Sequence, residues 1–162
     1  MLLSAFAGGL NLGAATARLT KRIGWHGRLA ADGPRGVDIE PEPFSITRST
    51  RGTTEVVALS GELDMANADA VAEVLDGLVD DGRRSIVVDL TDATFIDSTM
   101  LRVLLNVSKR LRPGGGELLV VCHEHNIRKI FEITLLDRVF TISETREEAL
   151  EHLAAAGADP QV

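Results

Sequence analysis

Three consecutive polar residues, Asp97, Ser98 and Thr99, interrupt an apolar neighbourhood between Phe95-Ile96 and Met100-Leu101. A hydroxyl beside a carboxylate has three possible uses. It caps a helix, by accepting a backbone N–H at the helix start. It acts as a nucleophile, which requires a base and a group to orient that base. Or it accepts a phosphoryl group, which requires only that it be reachable. The nucleophile elbow Gly-x-Ser-x-Gly is absent from this stretch. His123 and His125 lie beyond the next strand, with no sequence reason to approach Ser98. Hydrolysis is therefore disfavoured. Beside the serine, Met100, Val103 and Val107 recur at helical spacing, next to the stripe of Leu101, Leu104, Leu105 and Leu111. A second apolar stripe next to a modifiable hydroxyl suggests a docking surface. The other reading of that stripe is a wide core face.

Other polar groupings carry less. Asp89 closes the run Ile86-Val87-Val88 as a phospho-acceptor aspartate would, but no acidic pair follows the first strand to hold Mg²⁺. It reads as a turn former. Gly114-Gly115-Gly116 feeds a strand rather than a helix N-terminus, so it is a helix stop and not a phosphate cradle. Cys122-His123-Glu124-His125 has metal-binding side chains but lacks the second pair that a structural zinc site needs. No metal or cofactor is expected.

The elements that position Ser98 follow from periodicity. Residues 44–48 and 55–59 read as strands about the turn Arg51-Gly52-Thr53, which makes a hairpin. Gly61-Glu62-Leu63-Asp64 reads as a turn. Val71, Val74, Leu75 and Leu78 mark one face of a helix over residues 66–79. Residues 86–88 form a buried central strand, residues 98–111 a helix, and residues 118–122 another buried strand. A short helix over 126–131, a strand over 139–142 and a last helix capped by Ser143 or by Thr145, which has capping-box spacing to Glu148, complete the chain. The order β-β-α-β-α-β-α-β-α predicts an α/β sandwich: a mostly parallel sheet, an N-terminal β-hairpin, and helices packed on the sheet.

Composition bounds the function. The 162 residues carry a net charge of −7 and are 44% hydrophobic. An acidic chain of this kind is not a nonspecific nucleic-acid binder. Its one cysteine permits no intrachain disulfide, which fits the cytoplasm. No run approaches the ~18 apolar residues of a membrane span. Residues 1–43 hold five basic and four acidic residues, with scattered Gly, Ala and Pro, so the acidic excess lies in the remainder. That composition predicts a disordered extension, with the folded domain over 44–156 and a tail at 157–162. Val37, just ahead of the first strand, is a candidate alternative start. Mass spectrometry of the native N-terminus checks it.

Residues 44–156 resemble the STAS domain, in particular the bacterial anti-sigma factor antagonists. The resemblance rests on Gly61-Glu62-Leu63-Asp64, on Val88-Asp89-Leu90 followed by Phe95-Ile96-Asp97-Ser98-Thr99, and on Gly115-Gly116-Glu117-Leu118. It implies a switch. The serine after the aspartate, here Ser98, is phosphorylated by an anti-sigma factor that is itself an Mg-ATP-dependent serine kinase. The unphosphorylated antagonist binds that factor and frees the sigma factor. A metal-dependent serine phosphatase resets it, and the antagonist itself catalyses nothing. The expected partner surface is Glu62, Asp64, Asp97, Thr99, Met100, Val103 and Val107. The family often has glycine where this chain has Met100, and Leu-Gly where it has Leu101-Arg102. Those larger side chains bear on which partner fits. Two other readings are a structural STAS subunit of a transport complex without a phospho-switch, and an enzyme acting through Ser98 or the His123–His125 cluster.

Overall fold

The computed structural model describes residues 18–19 and 43–157. The rest of the extension, with Val37, and the tail beyond Gly157 lie outside the described residues. Strands β2 (Ser45–Arg51) and β3 (Thr54–Leu63) pair antiparallel in the register Ser45↔Ser60 to Arg51↔Thr54. The hairpin turns at Gly52, whose φ of 60° suits glycine and few other residues. A two-residue strand, β1 (Arg18–Leu19), pairs antiparallel with β2.

From β3 onward every pairing is parallel. β4 (Ser85–Ile96) lies beside β3, β5 (Glu117–Val121) beside β4, and β6 (Thr141–Ser143) beside β5. Strand order in the sheet is therefore chain order. The crossovers are α1 (Met65–Asp80), α2 (Ser98–Leu111) and α3 (His125–Ile133), and α4 (Arg146–Gly157) closes the described chain. From β2 on, this is the predicted β-β-α-β-α-β-α-β-α fold.

The core has two parts, one per sheet face. Val57, Leu59, Ile86, Val88, Leu118 and Val120 point to one face, where they meet Leu75, Leu104 and Phe131 of the first three helices. Val56, Val87, Leu119 and Val121 point to the other, where Ala149 and Leu153 of α4 cover them. Strands buried on both faces carry unbroken apolar runs, as residues 86–88 and 118–121 do. The capping box at the start of α4 forms as its spacing implies. Glu148 N donates to Thr145 Oγ1 at 3.2 Å, and Thr145 N donates to Glu148 Oε2 at 3.3 Å.

Three local expectations differ from the structure. Gly61-Glu62-Leu63 is the end of β3, not a turn, and residues 91–96 extend β4. Against β3, β4 has one extra residue between the pairs Ala58↔Asp89 and Ser60↔Asp92, and another between Gly61↔Ala93 and Glu62↔Phe95. These bulges break the alternation that marks a strand in sequence, and Gly61 adopts a φ of 82° within the bulged stretch. The last strand starts at Thr141, because Leu136–Arg138 forms a 3-10 turn. Phe140 still reaches the core and meets Phe131 edge-on at 6.1 Å.

Asp89 is likewise a strand residue rather than a turn former. It is buried, and its Oδ2 accepts from Arg146 Nε at 2.9 Å and Nη2 at 2.6 Å. Its Oδ1 accepts from the N–H and hydroxyl of Thr91. A buried carboxylate needs such partners, and this one ties the start of α4 to the sheet.

The triple glycine stops α2 as expected, but its last member has a further constraint. A Cβ on Gly116 would lie 2.7 Å from the Arg84 carbonyl oxygen and 3.1 Å from that of Leu111. Both are backbone atoms and cannot rotate away. Gly116→Ala should destabilise the domain by about 1–3 kcal/mol, read by urea denaturation. Gly114→Ala, which would meet only the flexible Arg84 side chain at 3.8 Å, should cost much less.

Candidate functional site

The C-terminal ends of β3 and β4 lie side by side, with Glu62 opposite Phe95 and Leu63 opposite Ile96. Each strand runs straight into a helix, and in each an aspartate is the cap. Asp64 Oδ1 accepts from Ala66 N at 2.9 Å, and Asp97 Oδ1 accepts from Met100 N at 2.9 Å. Asp97 N donates to the Leu63 carbonyl at 3.0 Å, which binds one strand end to the other. Asn67 Nδ2 bridges the Glu62 carbonyl at 3.0 Å and Asp64 Oδ1 at 3.2 Å. The paired helix starts are thus fixed by short-range hydrogen bonds.

This geometry leaves the Ser98 side chain without a capping role. The cap is Asp97, so Ser98 is the first residue of α2 and its oxygen is not needed there. The serine is exposed, and its hydroxyl makes no hydrogen bond among the described residues. Among the described residues no side chain hydrogen-bonds to it as a general base would, and His123 lines a cleft with Asp89, Thr91 and Arg146 that does not include Ser98. The arrangement leaves an exposed hydroxyl with no partner that would activate it as a nucleophile.

The other expected site residues divide. Glu62 is exposed, and Asp64, Asp97 and Thr99 are half-buried around Ser98. Met100 and Val107 are not on a docking stripe: they are 0% and 1% exposed and belong to the core. Val103 is half-buried and packs against that core. The apolar face of α2 is simply wide, because the helix packs against both the sheet and the neighbouring α1. The second stripe is the flank of the first.

The exposed apolar side chains at this end are others. Phe95 is 48% exposed and Met65 is 73% exposed. Phe95 precedes Asp97 by two residues, and Met65 is the first residue of α1. The β4 bulge that turns Phe95 outward leaves no trace in a hydrophobicity pattern. The one available signal for Met65 was a large apolar residue directly after a capping aspartate.

The cluster at residues 122–125 does not assemble as a site. Cys122 is buried, and its Sγ donates to the Glu124 carbonyl at 3.6 Å. Burial pushes its thiol pKa up, away from the thiolate a metal prefers. His123 and His125 are exposed, and among the described residues no three metal-binding side chains converge.

A family model described as the STAS domain matches residues 45–149. The chain belongs to the STAS domain family. Its curated relatives include BtrV of Bordetella bronchiseptica, 36% identical over 94 residues, which are 58% of this chain and 81% of that protein. The anti-sigma-B factor antagonist of Staphylococcus aureus is 31% identical over 104 residues, 64% of this chain and 96% of that one. Among solved structures, an anti-sigma factor antagonist from Mycobacterium paratuberculosis superposes with a TM-score of 0.64 at 28% identity, covering 67% of this chain and 92% of that one. The STAS domain described above is thus of the anti-sigma factor antagonist kind, whose members are regulatory proteins and not enzymes. Among its described residues no helix is long and apolar enough to cross a membrane.

Proposed function

We propose that this STAS protein is an anti-sigma factor antagonist, acting in the cytoplasm and switched by phosphorylation of Ser98. Unphosphorylated, it binds an anti-sigma factor that is a serine kinase, and so releases the sigma factor. The observation that carries this reading is the free, exposed Ser98 hydroxyl at the start of α2, with the capping role taken by Asp97. The kinase transfers the γ-phosphoryl of Mg-ATP to Ser98 Oγ. The new O–P bond forms as the γ-phosphorus leaves the β-phosphate oxygen, ADP departs, and the hydroxyl proton passes to a base on the kinase. A metal-dependent serine phosphatase restores the serine with water and releases inorganic phosphate.

A phosphoserine carries about −1.5 to −2 charges at neutral pH. At the first position of a helix it meets free N–H groups and a favourable dipole, so the fold tolerates it. In an interface beside Asp97 and Glu62 the same charge is repelled and costly to desolvate. Phosphorylation therefore opposes docking without unfolding the domain.

The apolar contribution to docking comes from Phe95 and Met65, with Glu62, Asp64 and Thr99 around them. Phe95→Ser should leave the melting temperature within about 2 °C of wild type, because the ring is half exposed. It should weaken binding of the anti-sigma factor by about tenfold or more, as loss of an aromatic anchor does. Surface plasmon resonance measures the second effect and calorimetry the first.

The experiment that tests the acceptor is incubation with the cognate kinase and Mg-ATP, followed by peptide mass spectrometry. Phosphate on Ser98 is the expected result. Phosphate found chiefly on Thr99, or modification that persists in Ser98→Ala, would overturn the assignment.

A further inference from the structure

Arg102 is an exposed residue of α2. It lies four residues after Ser98 on α2, within an unbroken 14-residue helix. Residues at this spacing share a helix face, with Cβ atoms about 5–6 Å apart. Both residues are exposed, and Arg102 makes no ion pair among the described residues. The strand end and helix starts beside Ser98 carry the carboxylates Glu62, Asp64 and Asp97. An unpaired guanidinium in that setting has no structural work in the unmodified protein.

We infer that Arg102 is an intrachain receptor for the Ser98 phosphate. The inference rests on Ser98 being the modified residue. An anionic side chain one turn N-terminal to a cationic one is the favoured orientation for a helical ion pair. The guanidinium fork matches phosphate oxygens and can donate two parallel hydrogen bonds to them. Modification then changes the docking surface twice. It adds an anion at Ser98, and it withdraws the cation of Arg102 from any acidic group on the partner. Within the domain the new charge is partly neutralised, so the phosphorylated form is held in a stable off state.

The test needs no kinase. Phosphoserine is placed at position 98 of the full chain by genetic-code expansion, in otherwise wild-type protein and in Arg102→Gln. The phosphate is titrated by ³¹P NMR at low ionic strength. The surrounding carboxylates raise its second pKa and Arg102 lowers it, so the Arg102→Gln protein should titrate higher than wild type by about half a unit. Added salt should narrow that difference, as it does for an exposed pair. Coincident titration curves would overturn the inference, and so would a difference indifferent to 1 M salt. Because the phosphoserine is incorporated during translation, either result stands apart from whether a kinase chooses Ser98. That question is answered by the peptide mapping above.

Discussion

Leu104→Ala should lower the unfolding free energy by about 2–5 kcal/mol, the range for truncating a fully buried leucine. Leu104 is 0% exposed, at the middle of α2, where the helix meets both the sheet and α1. Removing three methyl-group equivalents there leaves a cavity with rigid walls, because the strands and the neighbouring α1 are each fixed by their own packing. The neighbouring Val103→Ala should cost about 1 kcal/mol or less, because that side chain is only half-buried. Urea denaturation of both variants reads the difference. Equal losses would contradict the difference in burial between Leu104 and Val103.

Ser98→Asp should weaken binding of the anti-sigma factor by at least tenfold, while Ser98→Ala should bind like the unphosphorylated protein. Both should keep a native circular dichroism spectrum. The folding half of this prediction follows from the cap. Asp97 already satisfies the Met100 N–H, so position 98 carries no structural hydrogen bond to lose. An acidic residue in the first turn is, if anything, favourable to the helix. The binding half follows from the setting, where Glu62, Asp64 and Asp97 already gather negative charge beside exposed Phe95. Aspartate has one charge and a shorter reach than phosphoserine, so its effect is the lower bound of the true switch.

The order of elements and the bounds of α2 were legible in the sequence, because both depend on local patterns. Residues 98–111 combine a helical apolar period with Pro113 and the glycines that follow them. The parallel strands of the centre show as apolar runs, since both faces are covered. Ser98 itself is legible as a candidate, although not the reason for its freedom: the sequence points to the serine as the possible cap, and the hydrogen bond from Met100 N to Asp97 Oδ1 gives that role to Asp97 instead. Met100 and Val107 were misplaced because helical periodicity shows which residues share a face, not how wide a face the neighbours cover. Phe95 and Met65 were missed for the opposite reason. Their exposure depends on bulges in β4 and on two strand ends meeting, and both arise from pairing between segments distant in sequence. The same holds for Asp89, whose partner Arg146 lies 57 residues away.

The central claim is that phosphate on Ser98 controls docking, and isothermal titration of the cognate anti-sigma factor tests it most directly. The full chain is titrated once unmodified and once with phosphoserine at position 98. Tight binding of the first and no measurable binding of the second, with superimposable circular dichroism, is the predicted result. Equal affinity of the two forms would contradict the account.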